Sequence, residues 1–109
     1  MWLRNATPNT SSVSQRMKVI EFDGDPRKAR INLAKHKVTF EEAQTVFLDD
    51  FSMSHHDPDH SHDEERRIIF GRSSLGALLA VSFVERGSKI RIISARKLTR
   101  REIRIYEND

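Results

Sequence analysis

The chemistry-bearing residues concentrate near the C-terminus, where Arg91-Ile-Ile-Ser-Ala-Arg-Lys-Leu-Thr-Arg-Arg-Glu102 carries Arg91, Arg96, Lys97, Arg100 and Arg101 in one short run. The run reads as a strand passing into a helix start. Backbone N–H groups at such a start bind phosphate, and guanidinium groups add bidentate contacts. Metal-free RNA cleavage needs little more than this. The ribose 2′-OH attacks in line, cationic donors stabilise the extra charge on the pentavalent phosphorane, and a proton donor helps the 5′-oxygen leave. Arg72 closes a strand beside the expected central strand, where a phosphate-clamping cation could sit. The plainer reading makes Arg72 and Arg91 edge residues and leaves Arg100 and Arg101 flanking a helix start. Composition alone slightly favours that plainer reading.

A second group is the loop carrying His55, His56, His60 and His62 among Asp57, Asp59 and Asp63. These are metal-donor types. His56 and His60 are spaced like ligands on one helix face, but Pro58 between them opposes that helix. No metal site is therefore expected. One of these histidines is better suited to act as an acid or base, because imidazole titrates near neutral pH. The pair Lys35-His36 ends the first expected helix, where cations also complement the helix dipole.

Several elements must position these groups. A strand opens at Met17-Lys-Val-Ile-Glu-Phe22. Asp25 can cap a helix whose first residue is Pro26, and this helix runs to about His36 with Ala29, Ile31, Leu33 and Ala34 apolar. Thr39 and Glu42 form a capping box for a second helix carrying Phe40, Ala43, Val46 and Phe47, with Val38 placed to staple against Ala43. Residues from Phe51 to about Glu65 read as loop. Strands follow at Arg66–Arg72, Ala77–Val84 and Lys89–Ala95, the second apolar on both faces and so central. Thr99 and Glu102 start a last helix through Tyr106. The order is β-α-α-β-β-β-α, an α+β domain with an antiparallel meander.

At 109 residues the chain is long enough for one modest core. Residues 1–16, polar and without periodicity, are expected as a disordered lead-in or extended start, with Met17 opening the domain at 17–109. A segment that orders on a partner is the alternative. The absence of cysteine excludes disulfides and thiolate metal sites and suits a reducing compartment. No apolar run is long enough to span a bilayer, and no secretory signal is seen, so no membrane association and a cytoplasmic location are expected. Charge is segregated. Nine acids and no Lys or Arg lie between Val38 and Glu65, whereas between Arg86 and Arg104 eight cations face only Glu102. That asymmetry points to a polyanionic partner, although basic runs are commonly just solvated faces.

Together these segments resemble the BrnT family of toxins. The resemblance is carried by Phe22-Asp-Gly-Asp-Pro-Arg-Lys-Ala29, Asn32-Leu-Ala-Lys-His-Lys-Val-Thr-Phe-Glu-Glu-Ala43, Asp57-Pro-Asp-His60, Glu64-Glu-Arg66, Phe70-Gly-Arg-Ser-Ser74 and Ile90 to Glu102 with Tyr106. It spans Met17 to about Glu107. It implies a RelE-like fold with a four-stranded, mainly antiparallel sheet, and a ribonuclease that lowers translation. It also implies neutralisation by a BrnA-type ribbon-helix-helix antitoxin, with operator DNA bound only through that complex and no cofactor. By position it implies Arg72, Arg96, Ser94, Thr99 and Arg100 as catalytic residues. RNA contacts fall to Arg91, Lys97 and Arg101, with Lys35, His36 and Tyr106 as secondary choices.

Three functions remain open on the sequence: a toxin ribonuclease, a non-catalytic nucleic-acid-binding module of the same fold, and a metal-dependent hydrolase built on the His/Asp loop.

Overall fold

A computed structural model describes residues 20–60 and 64–108. The expected lead-in 1–16, the first residues of the expected strand from Met17, and His62 and Asp63 lie outside the described residues.

The chain forms β1 (Glu21–Asp23), α1 (Pro26–His36) and α2 (Phe40–Thr45), which tightens into a 3-10 turn, Val46–Leu48. Then come β2 (Met53–His56), a second 3-10 turn at Pro58–His60, β3 (Arg66–Arg72), β4 (Leu78–Arg86), β5 (Lys89–Lys97) and α3 (Arg100–Asn108). The sheet has five strands in the order β1-β5-β4-β3-β2, with β1 parallel to β5 and every other neighbour antiparallel. The expected α+β class and meander stand, but the strand count rises from four to five. The additional strand, β2, comes from the segment expected as loop.

The helix starts follow local chemistry. Asp25 accepts the Arg27 N–H at 2.9 Å, and Thr39 Oγ1 accepts the Glu42 N–H at 3.0 Å. Glu42 does not complete a reciprocal box with its carboxylate, which instead accepts the Ser73 hydroxyl at 2.6 Å. Helix α1 ends on Lys37 in the left-handed region, φ 62°, with its N–H on the Leu33 carbonyl.

Because facing residues of paired strands share a side of the sheet, the register sorts every strand residue to one face. One face carries Ile69, Leu79, Val81, Phe83, Ile92 and Ala95, buried beneath Val38, Phe40, Ala43 and Val46. Gly71 lies on this face, where an added Cβ would stand 2.7 Å from Val46 Cγ1. The glycine therefore lets β3 approach the 3-10 turn.

Helix α1 packs differently from its apolar pattern. Ile31 and Leu33 are exposed, and the buried position is Asn32, 4% accessible. Its Nδ2 donates to the Val38 and Ala95 carbonyls, both at 2.9 Å, and its Oδ1 accepts the Ala95 N–H at 2.9 Å. All the bonds tie α1 and the following turn to the outer edge of β5.

The opposite face of the sheet is covered over only part of its area. Phe70, Ala80 and Leu98 pack there with Met53, Leu78, Ile103 and Tyr106, so α3 lies over the end of the sheet marked by Leu78 and Phe70.

Candidate nucleic-acid interface

That second face is organised in rows, the first of which still lies against α3, where Ala80 and Phe70 are buried. Moving along the strands from the helix-covered end, the first row runs Arg96–Ala80–Phe70–Met53 and the next Ser94–Ser82–Ile68–His55. The third brings Asp23, Arg91, Val84 and Arg66 side by side. A bulge at Ile93, which faces neither Ser82 nor Phe83, keeps Arg91 on the same side as Ser94 and Arg96. Ser94, Arg96 and Arg91 therefore share one half-buried floor. Thr99, Arg101 and Glu102, at and just after the start of α3, border it, while Arg100 at the first helical position is exposed.

The rim is electrostatically self-satisfied. Arg96 Nη1 and Nη2 donate to Glu102 Oε1 and Oε2 at 2.8 and 3.0 Å, a fork-on-fork pair. Glu102 Oε1 also accepts the Thr99 N–H at 2.9 Å, while Thr99 Oγ1 accepts the Glu102 N–H at 3.2 Å, so the expected capping box is complete. Hydrogen bonds from Arg96, with help from Thr99, hold the Glu102 carboxyl below the usual carboxylate range despite partial burial. At this helix start the Thr99 N–H is occupied by the chain's own carboxylate and the Glu102 N–H by the Thr99 hydroxyl. Arg91 donates from Nη2 to Asp23 at 3.1 Å, and its shielded Nε has no hydrogen-bond partner among the described residues. Arg100, Arg101 and Arg104 are exposed and make no ion pair with the described residues.

Arg72 shares this face but stands beyond the helix-covered end, paired in register with Leu78. Its Nη1 donates to the Gly76 carbonyl at 3.1 Å. Its backbone N–H donates to Asp49 Oδ2 at 2.8 Å, the same oxygen that accepts the Tyr106 hydroxyl at 2.7 Å. Burial pushes the Asp49 carboxyl up, but the bonds from Tyr106, Arg72 and Phe51 outweigh it and leave the group below its ordinary value. Burial and the Asp49 acceptor together raise the Tyr106 hydroxyl. Tyr106 thus anchors the far end of α3. Arg72 and Tyr106 form a corner separate from the open floor.

The remaining sequence candidates lie elsewhere. Lys35 and His36 end α1, which packs against the covered side of β5. Lys97 pairs in register with Leu79 and so points to the covered face, although it is exposed at the strand end.

Sequence reasoning named His55 only as one of the loop histidines that could act as an acid or base, and not among the residues of the RNA face. On β2 it faces Ile68 on the open side, edge-to-face with Phe70 at a centroid distance of 5.1 Å, while His56 faces Arg67 on the other side. Strand alternation therefore sends the two neighbouring histidines to opposite faces, where they cannot share an ion. His56 instead lies 3.2 Å from Glu65. No cluster of three or more His, Asp or Glu suited to a metal occurs among the described residues. His55, Met53 and Phe70 line a cleft of about 500 Å³ against Thr99, Arg101, Glu102 and Ile105 of the α3 end. The signal that could have revealed His55 was strand alternation, and β2 carries too few apolar residues to show it.

Comparison with known proteins agrees with this architecture. No curated protein matches the chain. Among solved structures it is similar to the ribonuclease toxin BrnT of Brucella abortus, with TM-score 0.55 and 21% sequence identity over 75% of this chain and 100% of that one. At that identity the likeness speaks for the fold. Residues 25–102 match the family described as "Ribonuclease toxin, BrnT, of type II toxin-antitoxin system", a span that contains both helices before β2, the meander and the capping box of α3. The chain belongs to the BrnT family of type II toxin–antitoxin ribonuclease toxins.

Proposed function

We propose that the chain is an endoribonuclease that cleaves RNA without a metal, and that the uncovered half of the sheet is where it does so. The observation that carries this reading is the gathering of Arg91, Ser94 and Arg96 on one floor beside Arg101. An RNA strand laid across the floor meets cations from β5 and from the first turn of α3. The ribose 2′-OH attacks the adjacent phosphorus while the 5′-oxygen departs, leaving a 2′,3′-cyclic phosphate. Arg96 is the guanidinium best placed to take up the phosphorane's added charge, exchanging Glu102 for phosphate oxygens. Ser94 and Thr99 supply hydroxyls at the same edge, and Arg91, Arg100 and Arg101 hold flanking phosphates. Arg72, Lys97, Lys35, His36 and Tyr106 are peripheral to this path.

The same reading places the chain in the cytoplasm, lowering translation, and under control of a BrnA-type ribbon-helix-helix antitoxin. Operator DNA is contacted through that complex. No described helix is long and apolar enough to cross a membrane.

A second reading draws on the paired state of Arg91 and Arg96: cations already satisfied by Asp23 and Glu102 suit a module that binds nucleic acid without cleaving it. Incubating purified chain with RNA, with and without EDTA, separates these readings. Cleavage to cyclic phosphate ends that persists in EDTA is expected. Loss of cleavage in EDTA would indicate a metal hydrolase. Growth arrest on expression, relieved by the antitoxin but unaccompanied by RNA cleavage, would leave the binding module.

A further inference from the structure

Resting on that reading, we infer that the cleft between β2 and the start of α3 is a nucleobase subsite, which makes the substrate single-stranded RNA with one base turned out of the stack. Its walls are the wrong chemistry for phosphate. Met53 and Ile105 offer apolar surface over a base formed by the buried Phe70, and Ile105 stays 43% exposed. A flat, weakly polar ring covers such apolar surface, whereas a phosphate gains nothing from it and would also meet the Glu102 carboxylate, so its place is with Arg101 at the rim. His55 is itself exposed but braced edge-to-face on Phe70 at 5.1 Å, with ring planes 84° apart, so a stacking ligand meets a ring held in place.

The polar rim fits the edges of the same ligand. Glu102 Oε2 accepts one hydrogen bond, from Arg96, and a carboxylate oxygen has a second lone pair for an exocyclic amino group. Arg101, exposed and without an ion pair among the described residues, stands where the nucleotide's own phosphate would pass. The cleft adjoins the row of Ser94 and His55, so a base seated in it is continuous with a backbone crossing the cationic floor. A duplex keeps its bases stacked and cannot place one there.

The test measures binding separately from cleavage. A short single-stranded RNA made uncleavable by 2′-O-methylation is compared with its duplex and with a matched abasic strand, by fluorescence anisotropy. The native chain should bind the single strand roughly tenfold or more tighter than the abasic strand. His55→Ala should collapse that ratio while leaving abasic binding unchanged, and His55→Phe should retain most of it. Equal affinity of the native chain for both strands would overturn the subsite, leave the phosphate floor standing, and give the cleft to a protein side chain instead. An equal loss on both strands in His55→Ala would also overturn it, because a general effect on fold or charge would then be at work. If neither strand binds, the cationic floor and the subsite fail together.

Discussion

Arg96 and Glu102 face each other through two near-parallel hydrogen bonds of 2.8 and 3.0 Å, and the same carboxylate closes the first turn of α3. The cation best placed for phosphate and the helix that borders the floor are therefore held by one acid. On the proposed reading, RNA must compete with that acid for Arg96.

Glu102→Gln should accordingly tighten RNA binding, since it frees the guanidinium and removes a negative charge, while lowering stability by about 1 kcal/mol through a weaker cap. Anisotropy and thermal melting on the same samples check both signs. Arg96→Glu is the poorer probe, because it sets two carboxylates against each other and mixes unfolding with lost binding. Unchanged affinity in Glu102→Gln would mean that phosphate never reaches Arg96.

Arg100 and Arg101 offer a cleaner charge reversal. Both are exposed, and an acid in the first turn of a helix complements its dipole, so Arg100→Glu and Arg101→Glu should melt as the parent does. Each should lower RNA affinity and reduce the slope of log K against log salt by about one phosphate contact. A salt titration of binding reads this directly. Unaltered slopes in both variants would move the backbone path off α3.

Tyr106→Phe should reduce stability by about 1–2 kcal/mol, because it removes a hydrogen bond to a charged acceptor at 2.7 Å. The pH dependence follows from direction. Asp49 and Glu102 are both depressed in the folded chain, so their contribution is complete above the ordinary carboxylate range and is lost as pH falls through the depressed values. Tyr106 is raised, so its contribution is complete below the ordinary phenol value and fades as pH rises through the raised one. The variant should show a shallower acid limb and lose the alkaline one, as followed by denaturant melts across pH.

Lys37→Gly should stabilise the chain by about 0.5–1 kcal/mol. Lys37 caps α1 at φ 62°, a conformation that glycine adopts without the Cβ clash. Its one side-chain bond, Nζ to the Ala34 carbonyl at 3.1 Å, is exposed and contributes little. A rise in melting temperature with unchanged RNA affinity is the expected result.

Local signals in the sequence carried over well. Asp25, Thr39 and Thr99 all cap helices where their residue types and spacing indicate, and the meander from Arg66 follows its period-two pattern. What failed depended on packing across the sheet. Strand β2 lies at the sheet edge with polar Ser54, His55 and His56, so it lacks the apolar alternation that marks a strand. Asn32 sits at the buried position of α1 because its amide matches backbone groups of β5, while Ile31 and Leu33 are left outside. The Arg-rich corner was legible as charge, but its pairing with Glu102 is a fact of tertiary geometry. So is the separation of Arg72 from Arg96 by the body of α3.

Asn32 also bears on how this chain meets copies of itself. Strand β1 covers β5 only from Lys89 to Arg91, which would leave the outer edge beyond it as a template for an incoming strand. By engaging both the N–H and the C=O of Ala95, the Asn32 amide imitates the missing neighbour and closes that stretch of β5 to an incoming strand. The backbone left at the two borders of the described sheet is then that of β1 and β2, strands of three and four residues, too short to template a long pairing.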